Sequence, residues 1–566
     1  MVASKKELEF EDLLEEVGDY GWFQKKLLIY FLAPVATALP VLSMNILFLV
    51  HIPNHWCHIP EMAASNLSAS AQETLFGHDK SDCFMYDLNY TEWVQSNHYR
   101  IPDDTALIPC NNGWTYETAH FDETAASKWN VVCGDSHYAN LALTLTNSGG
   151  AIGTFIYGAL GDRIGRKPVF FIIVTVTVIS AIASLLVTNF IAFLLLRTIN
   201  GGLMSSLFQL PFIIVLEFVG LDKRGLTNAV PNVSWAVGLC ILPLIAYLST
   251  NWIILGSVST SLAVLMYGYW KFLPESPRWL VSREKYEEAT VVLMKIAKEN
   301  GKDVDEKDIR KKIKILGERV QKEKQEKAVQ NNVLDLLRYP YLRKKFLIVT
   351  YCWVANDLAY YGLQYNLPNL EGNPFLTFFV LSIVEFPGLF SIWYLMEKWG
   401  RRWSSASFLG LAGVACLVVA VIPEDVPHVA VICSVIGKFG STSSFMVIYL
   451  QSSELYPTPV RSIGMGITGA VGCIAIVIAP YIVYLAVYGK YIPFLIIGLV
   501  GVSASMLQTM LPETLDEILP QTIQDGETFG KNQKYLSCSW KRSTPVPVKD
   551  KYLNEINQSE RNGEVF

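Results

Sequence analysis

The sequence is poor in charge. Of its 566 residues only 17% are Asp, Glu, Lys or Arg, whereas soluble domains carry about 25%. The shortfall excludes an ordinary soluble surface over most of the chain. No excess of basic charge is present either: net charge is −5, which gives nucleic acid no electrostatic footprint to bind. The chain has no P-loop, no dinucleotide-binding glycine pattern and no paired-cysteine zinc spacing, so nucleotide-driven work and the common cofactor enzymes lack their residues. No nucleophile–base pair or metal triad stands out, and neither a cofactor nor a resident metal is expected. The first 26 residues, with the acidic stretch EFEDLLEEVG, contain no short apolar run with a cleavage site and do not form a removable signal.

What the chain has instead is apolar length. Hydrophobic residues make up 51% of it, and twelve runs of about 20 residues fall at 27–50, 138–160, 168–188, 190–219, 226–249, 252–273, 346–366, 374–396, 403–422, 428–450, 462–487 and 491–511. Each is long enough to cross a hydrocarbon core of ~30 Å as a helix. The predicted fold class is therefore an all-α membrane protein of twelve spans embedded in a lipid bilayer. Its parts are a cytoplasmic amino terminus (1–26), a six-helix bundle (27–273) with a large loop at 52–137, a charged helical linker (274–345), a second six-helix bundle (346–511) and a disordered tail (512–566).

Basic residues set the orientation. Of 46 Lys and Arg, Lys80, Arg100, Lys128 and Lys490 fall in loops opposite the termini and Arg197 and Lys438 deep inside spans, leaving 40 on the terminal side, with Lys271 at the inner end of the sixth span among them. The positive-inside rule then makes both termini cytoplasmic and the loop 52–137 external. That loop holds Cys57, Cys83, Cys110 and Cys133, which in an oxidising compartment predict two disulfides in one of three pairings. It also holds glycosylation sequons at Asn66 and Asn89. The HIPNHWCH stretch around Cys57 reads as a disulfide beside surface histidines rather than a metal site.

Charges at span ends repeat. GDRIGRKP after the second span carries Asp162, Arg163, Gly165 and Arg166, and MEKWGRR after the eighth carries Glu397, Gly400 and Arg401, an offset of 235. Glu217 with Arg224 recurs as Glu454 with Arg461 at 237, and LPES with Glu275 recurs as LPET with Glu513 at 238. Arg197 in span four is matched by Lys438 in span ten. The set describes an internal duplication of six spans plus six.

The GDRIGRK loop, PESPRWL at 274–280, ELYPTPVRSIG at 454–464, and NNGWTYET and WNVVCGDS in the external loop resemble the organic cation, carnitine and organic anion transporters of the major facilitator superfamily, over residues 10 to 515. The resemblance implies transport of small organic ions by alternating access, by uniport or exchange, across a plasma membrane. It also implies that Asp162, Arg163, Arg166, Glu217, Arg224, Glu275, Glu397, Arg401, Glu454, Arg461 and Glu513 form an interdomain charge network that closes the cytoplasmic side. Exposed ion pairs are each worth about 1 kcal/mol or less, so such a gate can open and re-form between two packings of similar free energy. Homo-oligomerisation stays open.

A site for organic cations needs aromatic faces and a desolvated carboxylate. Span seven, YCWVANDLAYYGLQY, offers Trp353, Asn356, Tyr360 and Tyr361, with Trp353 and Tyr360 seven residues apart on one helix face. Trp235, Phe208, Gln209 and Asn147 are the polar and aromatic candidates of the first bundle. Glu385 lies mid-span with no charge for ten residues on either side; a lone carboxylate there costs about 2.5 kcal/mol or more, so it faces a wet cavity, a substrate or a basic partner, Arg197 or Lys438. The run VEFP resembles cation and carnitine carriers. One position departs from the family: where span eleven usually carries Asp or Arg, this chain has Cys473, and Asp357 in span seven is the candidate compensating charge. The main expectation is a carrier of organic cations or zwitterions; an organic anion exchanger using Arg197 and Lys438, and a non-transporting receptor or sensor on the same scaffold, are the alternatives.

Overall fold

The computed structural model describes residues 10–60, 82–95, 105–220, 223–327, 335–370, 372–422, 427–515, 517, 519–531 and 533. Twelve long helices coincide with the twelve apolar runs: α1 Trp22–Leu49, α2 His137–Ile164, α3 Arg166–Leu186, α4 Phe190–Leu216, α5 Arg224–Ser249, α6 Trp252–Trp270, α7 Pro340–Tyr365, α8 Pro374–Lys398, α9 Gly400–Val421, α10 Pro427–Leu455, α11 Arg461–Tyr484 and α12 Ile492–Gln508. All of these except α2, α7 and the shorter α12 are individually long and apolar enough to cross a membrane. Their outward faces carry bare apolar side chains, among them Phe155, Leu186, Leu248 and Val421, as expected of surface meant for lipid rather than water.

The chain divides into two compact units, Met1–Arg319 with Gly372–Phe379, and Val320–Glu371 with Val380–Phe566. In the first, α2 and α4 approach closely because glycine faces glycine: a Cβ on Gly153 would overlap the Gly202 carbonyl. The short segment Gly372–Phe379 joins this unit through rings, Phe375 lying 5.6 Å from Phe48 and 5.0 Å from Phe121. The amino-terminal helix Phe10–Val17 and the linker helix Tyr286–Glu299 pack beneath it, sharing Leu13, Leu14, Val17, Leu293 and Ile296 with its core.

In the second unit α8 is interrupted. Its halves are Pro374–Ile383 and Glu385–Lys398, with Val384 as a turn between them. Pro387 explains the break, since it has no N–H to return to the Ile383 carbonyl. The interruption sets Glu385 in the first turn of the second half.

The segment between α1 and α2 resolves the cysteine pairing left open by the sequence. Antiparallel pairs β1 (His55–Cys57) with β4 (Trp114–Tyr116), and β2 (Phe84–Tyr86) with β3 (Leu107–Pro109), align the chain. Cys57 bonds Cys110, and Cys83 bonds Cys133. Asn89 is exposed; Asn66 lies outside the described residues.

Candidate functional site

Glu385 is buried and bound. Its Oε1 accepts a hydrogen bond from the Tyr360 hydroxyl at 2.7 Å and lies 3.1 Å from Lys438 Nζ. The Lys438 and Glu385 side chains are 0% and 3% exposed, and the ammonium sits 3.1 Å from the centre of the Tyr360 ring. Of the two basic partners considered, Lys438 is the one engaged. Both contacts fall on one carboxylate oxygen, so Oε2 makes no hydrogen bond among the described residues.

Asp357 is the second intramembrane carboxylate. It is 4% exposed and makes no hydrogen bond or ion pair among the described residues. It lies well inside α7, pressed against α11 where Gly472 leaves room: a Cβ at Gly472 would run into its Oδ2. The carboxylate therefore stands beside Cys473, and Tyr361 is within electrostatic reach of Asp357, Cys473 and Glu385 together.

Rings complete the cluster. Trp353 and Tyr360 both meet Phe445, at 5.9 and 6.1 Å, so the seven-residue spacing does put them on one face. Trp353 also packs on Tyr449 and donates its indole N–H to Ser452 at 2.8 Å. Tyr360 and Tyr361 meet edge to face at 5.1 Å. Asn356 is buried with neither side-chain polar atom hydrogen-bonded. Phe445, Tyr449 and Ser452 were not singled out from sequence, although their spacing along α10 places them on the face that bears Lys438.

In the first unit Phe208 and Trp235 form an edge-to-face pair at 5.7 Å. Gln209 is exposed and Asn147 half-buried. Arg197 is buried against the Phe193 ring at 5.4 Å and makes no ion pair among the described residues.

The repeated charges form two matching clusters. Arg166 bonds Glu217 at 3.3 Å, and Arg401 lies 3.4 Å from Glu454. Arg166 also donates to the Gly161 carbonyl and Arg401 to the Met396 carbonyl, five residues back in each case. Glu275 accepts from the backbone N–H groups of Arg166 and Lys167 at the start of α3, and Glu513 from those of Arg401 and Arg402 at the start of α9. A carboxylate there satisfies otherwise unpaired N–H groups and the helix dipole. Burial nevertheless holds Glu275 above the ordinary carboxylate range, outweighing those N–H donors. Gly165 and Gly400, at φ +111° and +81°, make the turns that let the carboxylates in.

Two members behave otherwise than the seven-residue spacing suggests. Arg224 turns away from Glu217 to Glu11 at 3.3 Å, and Arg461 donates to the Tyr456 carbonyl rather than to Glu454. Glu217 and Glu454 are taken by Arg166 and Arg401, which lie closer to the helix turns. Asp162 pairs with Arg166 at 3.1 Å but stays exposed, as do Arg163 and Glu397.

Glu11 also binds Arg278 at 2.9 Å, and Phe10 covers that guanidinium at 4.6 Å. Burial raises the Glu11 carboxyl, but the hydrogen bond and charge of Arg278, with Arg224 behind, hold it below its ordinary 4.5.

Residues 104–521 match the family described as sugar (and other) transporter. The chain is 36% identical over 546 residues to organic cation transporter 1 of Caenorhabditis elegans, covering 94% of this chain and 90% of that one. It is 33% identical to the carcinine transporter of Drosophila melanogaster, covering 94% and 81%, and 30% identical to the human organic cation/carnitine transporter 2, covering 91% and 93%. Its fold is that of the xylose transporter XylE from E. coli, with a TM-score of 0.55 at 15% identity over 90% of this chain and 100% of that one. The chain belongs to the organic cation and carnitine transporter family of the major facilitator superfamily.

Proposed function

We propose that this protein carries small organic cations or zwitterions across the plasma membrane by alternating access, with both termini in the cytoplasm, and that it performs no chemistry on its cargo. The relatives named for organic cations, carcinine and carnitine support the substrate class. The observation that carries the assignment is the pair of buried carboxylates among rings in the second unit. Lys438 neutralises only one of them, and Asp357 stands without a cation. Taking a charge out of water is expensive unless a partner is supplied, and an ammonium substrate supplies one. Trp353, Tyr360 and Tyr361 offer π faces to the same cation, while Asn356 has unused donors and an acceptor for a hydroxyl, amide or carboxylate on the cargo.

The cytoplasmic gate falls to the two matching clusters. Arg166–Glu217 and Arg401–Glu454 fix each helix turn, and the exposed Asp162, Arg163 and Glu397 are free to exchange partners during the cycle. No nucleotide motif is present, so gradients of substrate or ions drive transport. Tracer uptake in oocytes tests the reading with tetraethylammonium, carnitine and p-aminohippurate as cationic, zwitterionic and anionic probes, with and without a sodium gradient. Uptake of either of the first two supports it; uptake confined to p-aminohippurate overturns it.

A further inference from the structure

Arg197 is a buried charge for which the fold supplies no counter-charge. It sits about two turns into α4 and is 3% exposed. Its Nε is closed off without a partner, and the guanidinium makes no hydrogen bond or ion pair among the described residues. Helical side chains lean toward the helix start, which carries the guanidinium back to the Phe193 ring, 5.4 Å away. That ring is itself buried, packed on Phe190 at 5.8 Å, Trp129 at 5.4 Å and Trp252 at 5.9 Å, so the surroundings are apolar. The acids on the segment that bears Trp129 are occupied: Glu123 binds Lys128 at 3.2 Å and the Trp252 indole, and Asp122 accepts from the Thr250 hydroxyl. No carboxylate acts on Arg197 among the described residues.

A stranded carboxylate or lysine can neutralise itself by gaining or losing a proton. A guanidinium cannot, so the cost of its burial persists until an anion arrives. A second unspent donor stands at the same depth. The offset of 49 that sets Gly149 of α2 against the Thr198 carbonyl, and Gly153 against the Gly202 carbonyl, also sets Thr144 level with Phe193. Thr144 is 8% exposed, and its hydroxyl has no hydrogen-bond partner among the described residues. We propose that Arg197 holds a small monovalent anion within the first unit, with Thr144 as a further donor at that level. Rings on one side and the close contact of α2 with α4 on another favour a compact ion, chloride or a single carboxylate group, over a bulky organic acid. The site does not depend on the cargo assigned above.

The test is the melting temperature of the purified full chain in detergent, in sodium gluconate, sodium chloride and sodium acetate at equal ionic strength. An anion that binds only the folded chain stabilises it by mass action; at about ten times its dissociation constant it should raise the melting temperature by about 2–4 °C over gluconate. A response to chloride assigns the site to the inorganic ion, and a response to acetate alone assigns it to a carboxylate. Arg197→Met is expected to melt at one temperature in all three salts, and no lower than wild type in gluconate, because an apolar chain has replaced an unpaired buried charge. Equal melting of the wild type in the three salts, or a salt response undiminished in Arg197→Met, would overturn the proposal. Should Arg197→Met fail to fold, wild-type crystals grown in sodium bromide take its place: an anomalous-scattering peak beside the guanidinium is expected, and its absence overturns the proposal.

Discussion

The Glu385–Lys438 pair can be separated into its structural and its transport roles. With the two side chains 3% and 0% exposed, removing one partner leaves a buried charge uncompensated, which costs about 3–5 kcal/mol. That is a large part of a total stability of about 5–15 kcal/mol, so Glu385→Gln and Lys438→Met should each lower both thermal stability in detergent and the amount of protein at the cell surface. The double variant Glu385→Gln/Lys438→Met buries no charge, and replacing a whole buried pair is often neutral. It should regain most of the lost stability and surface level. Uptake of a cationic probe, measured per molecule at the surface, should nevertheless stay near background, because the carboxylate proposed to receive the cargo is gone. Recovery of uptake in the double variant would make the pair purely structural and remove Glu385 from the site. Full thermal stability of Glu385→Gln alone would refute the buried ion pair itself.

Asp357→Asn keeps the shape beside Gly472 while removing the charge, and should reduce uptake of tetraethylammonium more than tenfold with surface level unchanged; unaltered uptake would exclude Asp357 as a cargo contact. Gly400→Ala forces a side chain into φ +81° and against the Glu513 carboxylate, so it should lose about 1–2 kcal/mol for the left-handed backbone alone, and an unchanged melting temperature would contradict this. Glu11 is held below its ordinary 4.5, so its clamp on Arg224 and Arg278 contributes fully above that value and is lost as pH falls below it. Limited proteolysis of the amino-terminal segment should accelerate only on that acid side, and in Glu11→Ala should be fast at every pH. The two disulfides close loops of 53 and 50 residues, worth about 4 kcal/mol each on a chain-entropy basis; non-reducing peptide mapping should recover Cys57 with Cys110 and Cys83 with Cys133, and any other pairing contradicts the strand register. Asn89→Gln should remove one glycan, visible as a mobility shift, if the loop is external.

Apolar length made the helices legible, because a hydrocarbon core accepts almost nothing else. The same cost of charge in that core makes Glu385 and the repeated span-end residues conspicuous in the sequence alone. Partners were harder to read. Arg224 and Glu217 stand seven residues apart across a helix end, and only the path of the chain shows that Glu11, more than 200 positions away, reaches Arg224 first. The break at Val384 had a local signal in Pro387, yet its consequence, a carboxylate set in the first turn of a half-helix, depends on how α10 brings up Lys438. Phe445 and Tyr449 carried no sign of their own: an aromatic residue in a span faces lipid as often as a cavity, and what distinguishes these two is contact with Trp353.

The duplication also shows where the halves part company. At the offset of 235 that relates the two charged loops, Glu385 corresponds to Gly150 and Gly388 to Gly153. In the first unit these glycines serve packing: Gly153 lies against Gly202, and a Cβ at Gly150 would meet Ser205 Oγ at 3.1 Å and the Gly201 carbonyl at 3.3 Å. In the second, Gly388 keeps the packing role, its carbonyl accepting from Ser443 at 3.1 Å, while the neighbouring position has become an acid. Lys438 then has a carboxylate to bind, whereas Arg197, the charge on α4 that stands one turn out of that register, is buried with an aromatic ring and makes no ion pair among the described residues. The scaffold and the Arg–Glu clusters are duplicated; the buried Glu385–Lys438 pair is not. Replacing Gly150 by Glu would not transplant the site, since the close approach of α2 to α4 leaves the side chain nowhere to go.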